Sequence, residues 1–100
     1  MLNSKNTEKC RRIASHYGCE NQLIQLAEEC GELATACLHR RRNRKSKDTL
    51  DNLVEEIADV LVMIEQIRIV EGIKGRTIIE SIERKLDRQI GRINDENRNY

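Results

Sequence analysis

Between Leu53 and Ile64 the chain reads Leu-Val-Glu-Glu-Ile-Ala-Asp-Val-Leu-Val-Met-Ile, and this segment constrains the fold more than any other. Wound as a helix at about 100° per residue, its apolar side chains cover most of the circumference. Only a narrow polar gap remains, at Glu56 and Asp59. A helix of that kind is buried on several sides and needs neighbours around it. A chain of 100 residues reads as one domain, residues 1–100, with a modest core. Its few helices are therefore expected to be completed by a second subunit.

The remaining segments supply those helices. Pro is absent and Gly occurs five times, which favours helices and leaves little material for β-turns. A first helix is expected from about Thr7, as its cap, to Tyr17, ended by Gly18. A second runs from about Glu20 to Arg41. Its stripe comprises Leu23, Leu26, Ala27, Cys30, Leu33, Ala34 and Cys37. The third spans about Asp48 to Glu71, closed by Gly72. A fourth spans about Arg76 to Asn94, with Ile78, Ile82, Leu86, Ile90 and Ile93 in one line. Residues 1–5 and 95–100 read as frayed ends. The fold class is all-α, a four-helix bundle completed by oligomerisation.

Charge and aromatic content exclude several functions. Charged residues make up 35% of the chain, yet the net charge is +1, so no global field draws it to nucleic acid. Phe and Trp are absent and Tyr occurs twice, which leaves an aliphatic core and no stacking platform for single strands. Nucleic acid is not expected as a partner. The basic run Arg40 to Lys47 has no apolar residue and reads as a solvated loop. A phosphate-steering rim and a nucleic-acid contact are the next readings. No apolar run is long enough to span a bilayer and the start has no apolar leader, so a cytoplasmic location is expected. Cys10, Cys19, Cys30 and Cys37 form no C-x-x-C pair. They read as buried thiols in a reducing compartment rather than as disulfides or zinc ligands.

Two acidic motifs carry the chemistry. Glu28-Glu29-Cys30-Gly31-Glu32 lies in the second helix and Glu55-Glu56-Ile57-Ala58-Asp59 in the third. In each, two carboxylates three residues apart project from one side of a helix, a turn apart. Carboxylates beside a core repel one another and lose hydration. A divalent cation removes both penalties, and magnesium, a hard ion that keeps several waters, suits oxygen ligands and phosphate substrates. Gly31 makes room between the first pair at a cost in helix propensity. Either motif alone is an ordinary solvated face. Their coincidence on the two central helices raises the metal site to equal standing with that reading.

The pattern E-E-x-x-E, a spacer of 23 residues, then E-x-x-D resembles the MazG-like all-α nucleoside triphosphate pyrophosphohydrolases. The words Leu26-Ala-Glu-Glu-Cys-Gly-Glu-Leu-Ala34 and Glu55-Glu-Ile-Ala-Asp-Val-Leu61 are also typical of them. The resemblance covers roughly residues 22–92. It implies magnesium-dependent hydrolysis of NTPs or dNTPs to monophosphate and pyrophosphate, manganese being a possible substitute. It also implies a homodimer or homotetramer. Glu29, Glu32, Glu56 and Asp59 match the metal ligands, and Glu28 matches an extra acid able to orient or deprotonate a water. The family's Lys-x-x-x-Asn-x-x-Arg corresponds to Lys85, Gln89 and Arg92, with Gln in place of Asn. Such enzymes often stack the base on an aromatic residue. His16, Tyr17, His39 and Tyr100 are the rings on offer here, and Tyr17 is the one taken as substrate-binding, although a core or interface role competes. His39 reads as the end of a solvated turn.

Three other readings compete. The chain could be a helical oligomerisation module whose acids pair with Arg and Lys between subunits. It could be a nucleotide sensor without turnover. A ferritin-like di-iron bundle needs Glu-x-x-His pairs, and the chain has none.

Overall fold

The computed structural model describes residues 2–98. Four helices follow in order: α1 Ser4–Tyr17, α2 Cys19–Arg42, α3 Lys47–Val70 and α4 Gly75–Arg98. There is no strand among the described residues. The all-α class and the four-helix count expected from the periodicity are what the chain adopts.

Local chemistry sets the boundaries. Asn3 caps α1 by accepting from Asn6 N at 2.8 Å, a turn earlier than the expected Thr7, because an Asn side chain satisfies a free amide at a helix start. Gly18, at φ 85°, separates α1 from α2. Gly72, at φ 67°, closes α3. There Ile73 N donates to Arg68 O at 2.9 Å and Gly72 N donates to Ile69 O at 3.1 Å, the paired bonds of a Schellman end. Helix α4 continues to Arg98, through residues read as frayed. Tyr100 lies outside the described residues.

The basic run is not one loop. Helix α2 extends through Arg42, where positive side chains meet the negative end of the helix dipole. Arg40 Nη1 donates to Ser46 O at 3.0 Å and lies 3.3 Å from Thr49 Oγ1. Ser46, rather than Asp48 or Thr49, caps α3 by accepting from Thr49 N. Arg40 thus clamps the α2–α3 connection.

Helices α2 and α3 form the main antiparallel pair, and α1 packs across both. The core is small: Cys10, Ala14, Ala36, Val60 and Met63, with the amides of Gln22 and Gln66. The side of α2 turned to α3 carries Gln22, Leu26, Glu29, Leu33 and Ala36, which are buried or half-buried. Leu23, Ala27, Cys30, Ala34 and Cys37 face outward and are exposed. The expected α2 stripe is therefore split, and Cys30 and Cys37 are not the buried thiols the sequence suggested. All four cysteines are free. Helix α4 buries no residue. Its line of Ile82, Leu86, Ile90 and Ile93 is about half exposed, at 46–57%. The radius of gyration is 16.9 Å, against about 13 Å for a compact domain of this length.

No helix among the described residues is long and apolar enough to cross a membrane.

Candidate metal centre

Antiparallel pairing with Gln22 opposite Gln66 brings Glu29 and Glu32 of α2 level with the acidic turn of α3. Glu29, Glu32 and Glu56 each place one carboxylate oxygen within 4.8 Å of the others. Glu29 and Glu56 are half-buried and Glu32 is exposed. Asp59, a turn further along α3, is exposed and stands outside this group of three.

The individual oxygens are more telling than the cluster. Glu29 Oε1 accepts from Gln25 Nε2 at 2.8 Å. Its other oxygen, Oε2, is buried without a partner, and so is Oε2 of Glu56. Buried carboxylate oxygens are costly unless something satisfies them. The neighbouring carboxylates of Glu29 and Glu56 also hold the Glu32 carboxyl above the usual range, with a smaller push from burial. Unfilled acceptors and mutual repulsion both call for positive charge. An all-oxygen set of this kind fits a hard divalent cation.

An open groove of about 520 Å³ runs beside the acids. Glu28, Gly31, Glu32 and Glu56 line one part of it, and Thr35, His39 and Asn52 another. The last three were not singled out as site residues from sequence. Their signal was the helical repeat itself: Thr35 is four residues after Gly31 and Asn52 four before Glu56. His39, read as the end of a solvated turn, lines this groove. A Cβ on Gly31 would meet nothing within 4 Å, so the space that Gly31 leaves is groove and not a packing contact.

Lys85 lies elsewhere, in a shallow depression with Ser81, Arg84 and Arg88 on α4. Gln89 and Arg92 are exposed on the same helix. None of the three lines the acidic groove of its own chain. Tyr17, 58% exposed, lines a separate pocket between α1, α2 and α3. Its ring meets that of His16 edge-on, with centroids 4.7 Å apart.

A family model described as the MazG nucleotide pyrophosphohydrolase domain matches residues 18–95, which contain every acid of the cluster. Neither the curated proteins nor the solved structures contain a match.

Proposed function

The chain belongs to the MazG nucleotide pyrophosphohydrolase family, and from that premise we propose that it hydrolyses nucleoside triphosphates, NTP or dNTP, to monophosphate and pyrophosphate with magnesium. One observation carries the reading. Two buried carboxylate oxygens, on Glu29 and Glu56, lack partners inside a three-acid cluster.

Glu29, Glu32 and Glu56 would hold the ion. Asp59 is the fourth ligand on the strength of the family pattern. Manganese, which shares the preference for oxygen, would substitute. Bound there, the metal supplies charge neutralisation and acidifies a water.

The chain's own groups do the rest. Gln25 fixes the orientation of Glu29 through the Nε2–Oε1 bond. Glu28, at the groove edge, accepts the proton of the attacking water. Thr35, His39 and Asn52 offer hydroxyl, imidazole and amide donors to phosphate oxygens along the groove. Attack in line at the α-phosphorus expels pyrophosphate.

Lys85, Gln89 and Arg92 enter through assembly. The accessible surface is 8064 Å², against about 5,900 Å² for a compact monomer of this mass. The difference is of the size that obligate interfaces bury. The uncovered faces are the α4 stripe and the outer side of α2. We assign them to a homodimer or homotetramer in which α4 of one copy brings its Lys85, Gln89 and Arg92 toward phosphates held by another. Lys85 and Arg92 would offset charge developing in the transition state.

Purified protein incubated with magnesium and each common NTP and dNTP, with pyrophosphate detected, tests the reading. Magnesium-dependent release is the expected result. No release from any triphosphate would overturn it.

A further inference from the structure

We propose that α4 of a second copy docks along α1 in the parallel sense, with its acidic edge in register with a basic row on α1, an inference that rests on the assembly read above and names the surface it uses. Helix α4 has unlike edges. Ile82, Leu86, Ile90 and Ile93 form its apolar line. At about 100° per residue, Glu80, Glu83 and Asp87 fall along one edge of that line. Lys85, Gln89 and Arg92 fall along the other. No residue of α4 is buried.

Helix α1 carries the complementary surface. Lys9, Arg12 and His16 share one side of it, because residues three and four apart are neighbours on a helix. With Ile13 and Tyr17 they line an open hollow of about 730 Å³. Ile13 is 41% and Tyr17 58% exposed. Large apolar side chains rimmed by charge mark an interaction surface. Arg11 is already paired with Glu8. Among the described residues Lys9, Arg12, Glu80, Glu83 and Asp87 make no ion pair.

Spacing and handedness select one register. Glu80, Glu83 and Asp87 are spaced by three and then four residues, and so are Lys9, Arg12 and His16. Aligned in parallel, the acids meet the basic row one to one. The same alignment seats Ile13 between Ile82 and Leu86, and Tyr17 between Leu86 and Ile90. Reversing α4 reverses the order of its edges, so an antiparallel α4 would carry its acids away from the basic row once the apolar residues meet. Complementary charge of this kind fixes register and excludes wrong pairings. The edge with Lys85, Gln89 and Arg92 stays free of α1. This register sets Gly75 level with Ser4. In its own chain α4 starts elsewhere: Cys19 Sγ donates to Glu71 Oε1 at 2.7 Å, and Lys74 shares a depression with Arg11, which is about 10 Å along α1 from Ser4. The occupant is therefore the α4 of another copy.

Charge reversal makes the test, with self-association measured by sedimentation over a dilution series and helix content checked by circular dichroism. Arg12→Glu and Glu83→Arg should each weaken association by at least about tenfold, since like charges then face each other. The double variant restores the pair with its sign exchanged and should recover most of the loss. The parallel register also sets Arg76 opposite Lys5, a like pair at the end of the row. Lys5→Glu should therefore tighten association, by about threefold. A wild type that assembles and is indifferent to both single reversals overturns this docking while the assembly stands. Loss in both without recovery in the double variant overturns it too, as does weakening by Lys5→Glu. A wild type that stays monomeric at every concentration overturns the docking and the assembly together, and leaves hydrolysis to the pyrophosphate assay.

Discussion

Gln25 and Glu29 stand four residues apart on α2, and the amide of the first holds one oxygen of the second at 2.8 Å while the other oxygen is buried and unpartnered. The bond leaves Glu29 one buried acceptor without a protein partner. Groups that orient a metal ligand in this way set its affinity.

Replacing Gln25 with Leu frees the Glu29 carboxylate to rotate. Affinity for Mn²⁺, measured by calorimetry, should fall by about 10–100-fold. Unchanged affinity would mean that Gln25 positions nothing.

Glu56→Ala and Asp59→Ala should each abolish pyrophosphate release and leave the far-ultraviolet circular dichroism unchanged. Retained turnover in both variants refutes the ligand assignment. Glu56→Gln should also separate charge from coordination. It relieves repulsion with Glu29 and Glu32, so the metal-free protein melts higher, and it removes the stabilisation that grows with magnesium concentration.

The pH dependence follows from Glu32, whose carboxyl is held up chiefly by Glu29 and then by Glu56. The folded state keeps this proton to higher pH than the unfolded chain does. Its contribution is therefore complete below the ordinary glutamate value and is lost as pH rises through the raised value. Without metal, wild type should lose stability relative to Glu32→Gln across that window in thermal melts. Saturating magnesium should remove the difference. A difference that grows in wild type's favour as pH rises would contradict the cluster geometry.

Gly31→Ala has room for its methyl group and gains about 1 kcal/mol of helix propensity. A higher Tm is expected together with a higher KM, because the methyl enters the groove. A higher Tm with unchanged kinetics would show that substrate does not lie against Gly31.

Leu86 sits in the exposed line of α4 at 54% exposure. In a lone chain Leu86→Glu would be a surface change worth under about 0.5 kcal/mol. In an assembly it buries a charge at the interface. Light scattering should show a shift to monomer mass, and an unchanged mass would remove α4 from the interface.

Much of the fold is legible in the sequence. The absence of Pro, the apolar repeats and the punctuation at Gly18 and Gly72 specify four helices, because capping and periodicity are local. The spacing Glu29–Glu32 and Glu56–Asp59 specifies which acids share a helix face, because 3.6 residues make a turn. Which way α2 turns is not local. Its apolar residues cover more than one face, and only the pairing with α3 turned Gln22, Leu26, Glu29, Leu33 and Ala36 inward while Cys30 and Cys37 stayed outside. The same pairing chose three acids for the cluster and left Asp59 beside it. It also joined the buried amides of Gln22 and Gln66 across the two helices. Composition and period determine the elements; the contact between elements decides where each polar atom points, because a hydrogen bond is directional and a hydrophobic stripe is not.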